Sequence, residues 1–122
     1  MIYGIGTDIT EVGRIAEILP KTNFCKRFFS GKENEYFLKK NYNPQTVAGN
    51  FAAKEAFSKA LGTGIRNFAL REVEILRDEL GKPYIELSGD AQKAAQKKWI
   101  KRFHVSISHC RDYATAYVIA EK

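Results

Sequence analysis

Two carboxylates and a lysine carry the chemistry that this sequence offers most directly. Asp8 lies in MIYGIGTDIT, and Glu55 and Lys59 lie one helical turn apart in NFAAKEAFSKALGTG. Carboxylates from two separate elements suit a hard octahedral cation that keeps part of its water and fills its shell with a substrate phosphate, and Mg²⁺ is the natural candidate. Lys59 would add a point charge, and the Gly62-Thr63-Gly64 stretch free backbone amides, for further phosphate oxygens. The same residues have simpler readings. Glu55 and Lys59 also fit a solvated i,i+4 pair contributing about 0.2–0.5 kcal/mol. Asp8 also fits the N-cap of a following helix, with Thr10 as an alternative cap. Near the other end, FHVSISHCRDY supplies His109, a candidate for phosphate contact or proton transfer beside Ser106 and Ser108. His104 shares a strand face with both serines, whereas His109 takes the opposite face unless the strand bends.

These groups need elements to hold them. In the stretch from Asn50 to Gly64, Ala53, Ala56, Phe57, Ala60 and Leu61 form one apolar stripe at helical spacing, the expected buried face. Glu55 and Lys59 fall opposite, with Phe51 and Ser58 beside them, and a large apolar residue on that face implies that something covers it. Gly62 and Gly64 end the helix. MIYGIGTDIT reads as a strand in which Gly4 and Gly6 allow a close neighbour. Val12, Ile15, Ile18 and Leu19 define a helix that Pro20 closes, with Arg14 on its polar side. Ser30-x-x-Glu33 is a capping box, so one short helix ends near Phe29 and another begins at Ser30. Phe24, Phe28, Tyr36 and Phe37 are core or interface aromatics, and KKNYNPQTV reads as an insert-like loop. Residues 65–71 form a connection. EVEILRDELGKPYIEL gives two strands joined by a turn at Asp78 to Lys82, with Pro83 at a strand start. Asp90 to Lys101 forms a polar helix with Ala91, Ala94, Ala95 and Trp99 on one side, and the chain closes on a hairpin turning at Cys110 to Asp112.

A chain of 122 residues is one domain's worth. Lys and Arg number 20 against 14 for Asp and Glu, and the formal charge of +6 favours anionic partners. Cys25 and Cys110 form no C-x-x-C pair and no export signal is visible, which leads to the expectation of a reduced, cytoplasmic protein. No apolar run reaches the roughly 18 residues of a membrane span, so no membrane partner is expected. A nucleic-acid module could use Tyr42, Lys97, Lys98, Trp99, Lys101 and Arg102. The basic residues are dispersed, however, no RNP-like or helix-turn-helix pattern accompanies them, and Asp8 with Glu55 would repel a phosphate backbone.

MIYGIGTDITEVGRI, FAAKEAFSKALGTG, the D-E-L-G-K-P turn and HVSISH, in this order over nearly the whole chain, resemble the holo-acyl-carrier-protein synthase family, the small type of 4′-phosphopantetheinyl transferase. The resemblance implies an α+β fold, a single domain over residues 1–122 with an antiparallel sheet packed against a long central helix, and a homotrimer with active sites shared between neighbouring chains. It implies transfer of the phosphopantetheine arm of coenzyme A to a serine of apo acyl carrier protein, in support of fatty acid biosynthesis, with adenosine 3′,5′-bisphosphate leaving. On this resemblance Asp8 and Glu55 hold Mg²⁺ on the pyrophosphate, Lys59 contacts phosphate, and His109 binds the nucleotide's phosphates with Ser106 and Ser108 nearby. Gly62, Gly64, Lys82 and Pro83 shape the adenosine pocket, and Arg14 and Arg27 dock the acidic carrier protein. Asn50 is a departure, since many relatives carry a basic or larger residue there.

Overall fold

The computed structural model describes residues 1–122. The elements are β1 (Ile2–Glu11), α1 (Val12–Ile18), α2 (Phe24–Phe28), α3 (Gly31–Lys39), α4 (Pro44–Leu61), a 3-10 turn at Leu70–Glu72, β2 (Val73–Arg77), β3 (Pro83–Leu87), α5 (Gly89–Lys97), β4 (Arg102–His109) and β5 (Tyr113–Glu121). β1, β5 and β4 make an antiparallel sheet in that order, and β2 pairs with β3 in a separate hairpin. This is an α+β arrangement organised around α4. No helix is long and apolar enough to cross a membrane.

The helix α4 lies directly on the sheet because two glycines let it. A Cβ at Gly4 would run into the carbonyl oxygen of Ala60, and one at Gly6 into that of Ala56. Ala53, Ala56, Phe57, Ala60 and Leu61 are buried as their spacing predicts. The helix is wrapped further than that stripe, since Ala52, Lys54 and Ser58 are buried too. Ser58 therefore departs from the polar side expected for it, and its hydroxyl donates to the Glu55 carbonyl at 2.7 Å. Phe51 is covered as expected: its ring lies 5.3 Å from Phe24 and 6.4 Å from Phe28, so the aromatics of α2 roof that face.

Three boundaries differ from expectation. The helix starts at Pro44 rather than near Asn50, because Asn43 accepts from the Gln45 amide at 2.9 Å and Pro44 takes the first turn, where a missing N–H costs nothing. NPQTV is thus the opening of α4 and not a loop. Neither Asp8 nor Thr10 caps α1: the cap position is Glu11, without a side-chain bond, and Thr10 donates instead to Asp8 Oδ2 at 3.1 Å. At the other end α5 stops at Lys97. Trp99 turns left-handed at φ 61° and stays 77% exposed, and Ile100 takes the buried place instead.

Four polar side chains are buried in this core: Glu33, Asn50, Lys54 and Ser58. Lys54 Nζ spends its three donors on Glu33 Oε1 (2.7 Å), the Leu70 carbonyl (2.7 Å) and the Val73 carbonyl (2.6 Å). Glu33 accepts as well from the Ser30 amide, closing the expected capping box, and from the Ile75 amide at 3.2 Å. Burial pushes the Glu33 carboxyl up and the Lys54 ammonium down, and each charge opposes the shift of the other. The pair ties α3, α4 and β2 together at fixed rotation.

Both cysteines are free. Burial, reinforced by the Glu33 carboxylate, pushes the Cys25 thiol up to about 11, whereas Cys110 is exposed. Only the thiolate is nucleophilic. At pH 8, iodoacetamide is expected to label Cys110 well before Cys25, as peptide mass mapping over time will show; equal rates would contradict the placement of Cys25.

Candidate active site

Asp8 stands inside β1 opposite Ala116, on the sheet face that α4 covers. An acid there, where Asp is disfavoured, is held by its surroundings. Thr10 donates to one carboxylate oxygen, and Lys59 Nζ lies 3.6 Å from the other. The same ammonium donates to the Thr7 carbonyl at 2.9 Å, so Lys59 is steered across to β1 and pairs with Asp8 rather than with Glu55. The simple solvated Glu55–Lys59 pair is therefore not what forms. Lys59 keeps 56% of its side chain exposed and free to meet a ligand.

Asp8, Glu55 and Arg14 line one cleft of about 460 Å³, with Phe24, Phe51 and Tyr113 among its walls. The Glu55 carboxyl is raised from its ordinary value first by burial and then by the Asp8 charge, with Lys59 opposing. A buried carboxyl whose ionisation a neighbouring carboxylate opposes is a favourable setting for a cation. No cluster of three or more His, Cys, Asp or Glu side chains surrounds them. Two oxygen ligands with open surroundings fit Mg²⁺, which keeps several waters and takes phosphate oxygens from its substrate.

His109 lies elsewhere. It follows Ile107 on the inner face of β4 and lines a cavity of about 210 Å³ with Gly81 and Pro83. Ser106 and Ser108 occupy the outer face with His104, whose Nε2 meets Glu121 Oε1 at 2.9 Å. The strand does not bend, so the histidine and the serines are not brought together. In the sheet, Asp8 and Ile107 flank Ala116 from either side, roughly 10 Å apart at two strand spacings. The helix α4 covers β5 between them, so the Asp8 cleft and the His109 cavity occupy opposite flanks of α4 within one chain.

The remaining expected residues divide in the same way. Gly62 (φ 87°) and Gly64 (φ 68°) end α4 in left-handed conformations, and Thr63 between them borders a third cavity with Arg66, Lys93 and Lys97. Lys82 sits in the β2–β3 turn, its amide bonded to Asp78 Oδ1 at 2.9 Å, directly before Pro83. Arg27 lies over the Phe28 ring at 5.4 Å on α2. Thr10, Tyr113 and Arg77 were not singled out for the site by sequence, although Thr10 orients Asp8, Tyr113 walls the cleft and Arg77 borders the His109 cavity.

The profile of the 4′-phosphopantetheinyl transferase superfamily matches residues 4–118. This chain belongs to that superfamily. Among curated relatives, the holo-[acyl-carrier-protein] synthase of Clostridium novyi (strain NT) is 51% identical over 122 residues, covering 99% of this chain and 88% of the relative. The crystal structure of holo-[acyl-carrier-protein] synthase from Neisseria meningitidis superposes with a TM-score of 0.92 at 38% identity, covering 100% of both chains. A holo-(acyl-carrier-protein) synthase from Bacillus anthracis str. Ames in complex with CoA (3′,5′-ADP) superposes with a TM-score of 0.82 at 37% identity, covering 100% of this chain and 98% of that one. The α+β architecture observed here is thus that of these synthases.

Proposed function

We infer that this protein is a holo-[acyl-carrier-protein] synthase that moves the 4′-phosphopantetheine arm of coenzyme A onto a serine of apo acyl carrier protein, with Mg²⁺, as a cytoplasmic homotrimer. The observation that carries this reading is that Asp8 lines one cleft with Glu55 and also pairs, at 3.6 Å, with the exposed Lys59 ammonium that borders the adjoining pocket. In the reaction the serine oxygen attacks the pantetheine-bearing phosphorus of the pyrophosphate, and the bond to adenosine 3′,5′-bisphosphate breaks. Charge spreads over the phosphoryl oxygens, so positioned cations supply most of the rate. Asp8 and Glu55 would hold Mg²⁺, which when bound clamps pyrophosphate oxygens and offsets their charge. Lys59, tethered by Thr7 and Asp8, meets the leaving phosphate as a point charge. Glu55 and a metal-bound water are the two groups that could take the serine proton. Arg14, on the rim of the cleft, and Arg27 form a basic approach for an acidic carrier protein and mainly raise the on-rate. Two free thiols suit a reducing compartment.

The trimer is supported by the outer face of the three-stranded sheet. Ile5 (70% exposed), Ile9 (64%) and Tyr117 (62%) stand there together, more apolar surface than an isolated sheet face usually leaves in water. A second copy on that face would let the His109 cavity of one chain complete the Asp8 cleft of another. Size-exclusion chromatography with light scattering should therefore give three times the chain mass of 13.9 kDa. Mixing inactive Glu55→Gln with inactive His109→Ala protein, with subunit exchange, should restore part of the activity. A monomer, or no complementation, would remove the shared site.

The reading is tested by intact-mass spectrometry of an apo acyl carrier protein incubated with this chain, coenzyme A and Mg²⁺. A gain of about 340 Da, abolished by EDTA, is the expected result of metal-assisted transfer of one arm; no gain with several apo carriers refutes the transferase. Lys59→Ala is expected to slow transfer about 10²-fold through lost phosphate stabilisation, with unchanged turnover removing Lys59 from the mechanism.

A further inference from the structure

We propose that the end of the molecule carrying the turn from α5 into β4 is a peripheral contact site for an anionic phospholipid surface, with Trp99 as its anchor. The local backbone gives the first reason. α5 ends at Lys97, and two bonds close it, from the Trp99 amide to the Gln96 carbonyl at 3.0 Å and from the Ile100 amide to the Ala95 carbonyl at 3.1 Å. In this pattern the residue after the cap turns left-handed and the next one packs back on the helix, and Ile100 and Ala95 are both buried accordingly. Glycine is the usual occupant of the left-handed place, because a Cβ is crowded there. This chain puts its single tryptophan in it, at φ 61°, and leaves the residue 77% exposed. Neither the turn nor the core uses that ring, so its use lies outside the chain.

Charge says what meets it. Lys97, Lys101, Arg102 and Lys122 are exposed around this end, and Lys98 and Lys122 hold their ammonium groups 5.7 and 5.3 Å from the one Tyr3 ring. None of the five basic residues is in an ion pair, and Glu121, which faces Arg102 in the register, is bonded to His104 at 2.9 Å. Like charges gathered without counter-ions call for an anionic partner. A nucleic-acid strand is best held by a groove with several rings on which successive bases stack, whereas a single exposed ring stands at this turn. Tryptophan beside lysine and arginine is the composition that settles at the headgroup level of a bilayer, and a cluster of four or more basic residues there favours acidic lipids. Such a contact needs no spanning helix. It also leaves the candidate active site clear. Arg102 lies opposite Glu121 and Asp8 opposite Ala116, roughly 17 Å apart along β5, so a chain seated on lipid by this end holds the Asp8 cleft away from the surface.

The test is sedimentation with vesicles of phosphatidylglycerol and phosphatidylcholine in equal parts, read together with the emission of Trp99, which no other tryptophan obscures. The wild-type protein should pellet with these vesicles, its emission shifted to shorter wavelength as the ring leaves water. It should stay in solution with phosphatidylcholine alone, or in about 1 M salt, where the screening length falls to about 3 Å. Lys101→Gln combined with Arg102→Gln should weaken partition about 30-fold, the effect of two basic residues near an acidic surface. Trp99→Gly should weaken it about tenfold or more, while the melting temperature holds or rises because glycine relieves the left-handed position. Pelleting without the emission shift, or undiminished in Trp99→Gly, would reduce the effect to the general charge of +6 and overturn the proposal, as would no pelleting with the acidic vesicles. Emission that responds to a single-stranded oligonucleotide and not to acidic vesicles would overturn it in favour of a nucleic acid. A lowered melting temperature in Trp99→Gly would make the ring a structural part of the turn, and the proposal would fall with it.

Discussion

Lys54→Ala is expected to cost about 3–5 kcal/mol, the penalty for stranding the partner of a buried ion pair. Total stabilities of domains this size run to only about 5–15 kcal/mol, so much of the fold is at risk. The alanine removes the donor from two main-chain carbonyls, Leu70 and Val73, and leaves Glu33 as a fully buried carboxylate with only amide donors. The pH response carries the diagnosis. Burial already raises the Glu33 carboxyl, and without the opposing lysine it rises further, above its unfolded value. A group shifted in that direction is relatively stabilising when protonated, and the penalty grows as pH climbs from the unfolded toward the folded value. The gap between variant and wild type in urea midpoint, followed by far-UV circular dichroism, should therefore narrow from pH 8 to pH 5. A pH-independent gap would mean that lost packing, not the stranded charge, is responsible. Replacing both members with apolar residues should not restore stability fully, because Glu33 also serves the Ile75 amide.

What could be read in the sequence, and what could not, follows from how local each determinant is. The α4 stripe and the glycines of β1 encode their packing in their own spacing, and the two motifs that contain them deliver Asp8, Glu55 and Lys59 to one place. The parity of β4 was legible, but whether the strand bends at His109 was not, and the expectation that Ser106 and Ser108 lie beside His109 fails because the strand runs straight and puts them on the other face. Asn43-Pro44 is a helix start by its own chemistry, yet it sits in a polar stretch without apolar period, and the pattern that marks a helix begins only later. Lys54 and Arg77 were out of reach for a different reason. The partner of Lys54 lies 21 residues away and that of Arg77 lies 27 away. Neither charge differs in sequence from a solvated one until the chain has folded. Trp99 fits the alanine spacing of α5, but the backbone turns left-handed there and carries Ile100 inward instead.

Glu55→Gln is expected to lower transfer by about 10²–10³-fold, the cost of losing one preorganised charge at a phosphoryl centre, while the fold remains. The two halves of that expectation come from different observations. Glu55 is only partly buried, and its carboxyl is paid for twice over, by desolvation and by the Asp8 charge, with the Lys59 contribution insufficient to cancel them. An amide of the same shape removes both penalties, so the melting temperature should hold or rise slightly. It also removes one of the two anionic oxygens through which the cleft can hold a divalent ion, and Asp8 alone, already neighboured by Lys59 at 3.6 Å, is a weak remaining ligand. Raising Mg²⁺ should consequently recover part of the lost rate in Glu55→Gln, in single-turnover assays with saturating carrier protein, and none of the rate lost in Lys59→Ala. A Glu55→Gln protein with full activity would take the metal away from this pair of carboxylates, and one with a collapsed melting temperature would make Glu55 a structural residue of α4.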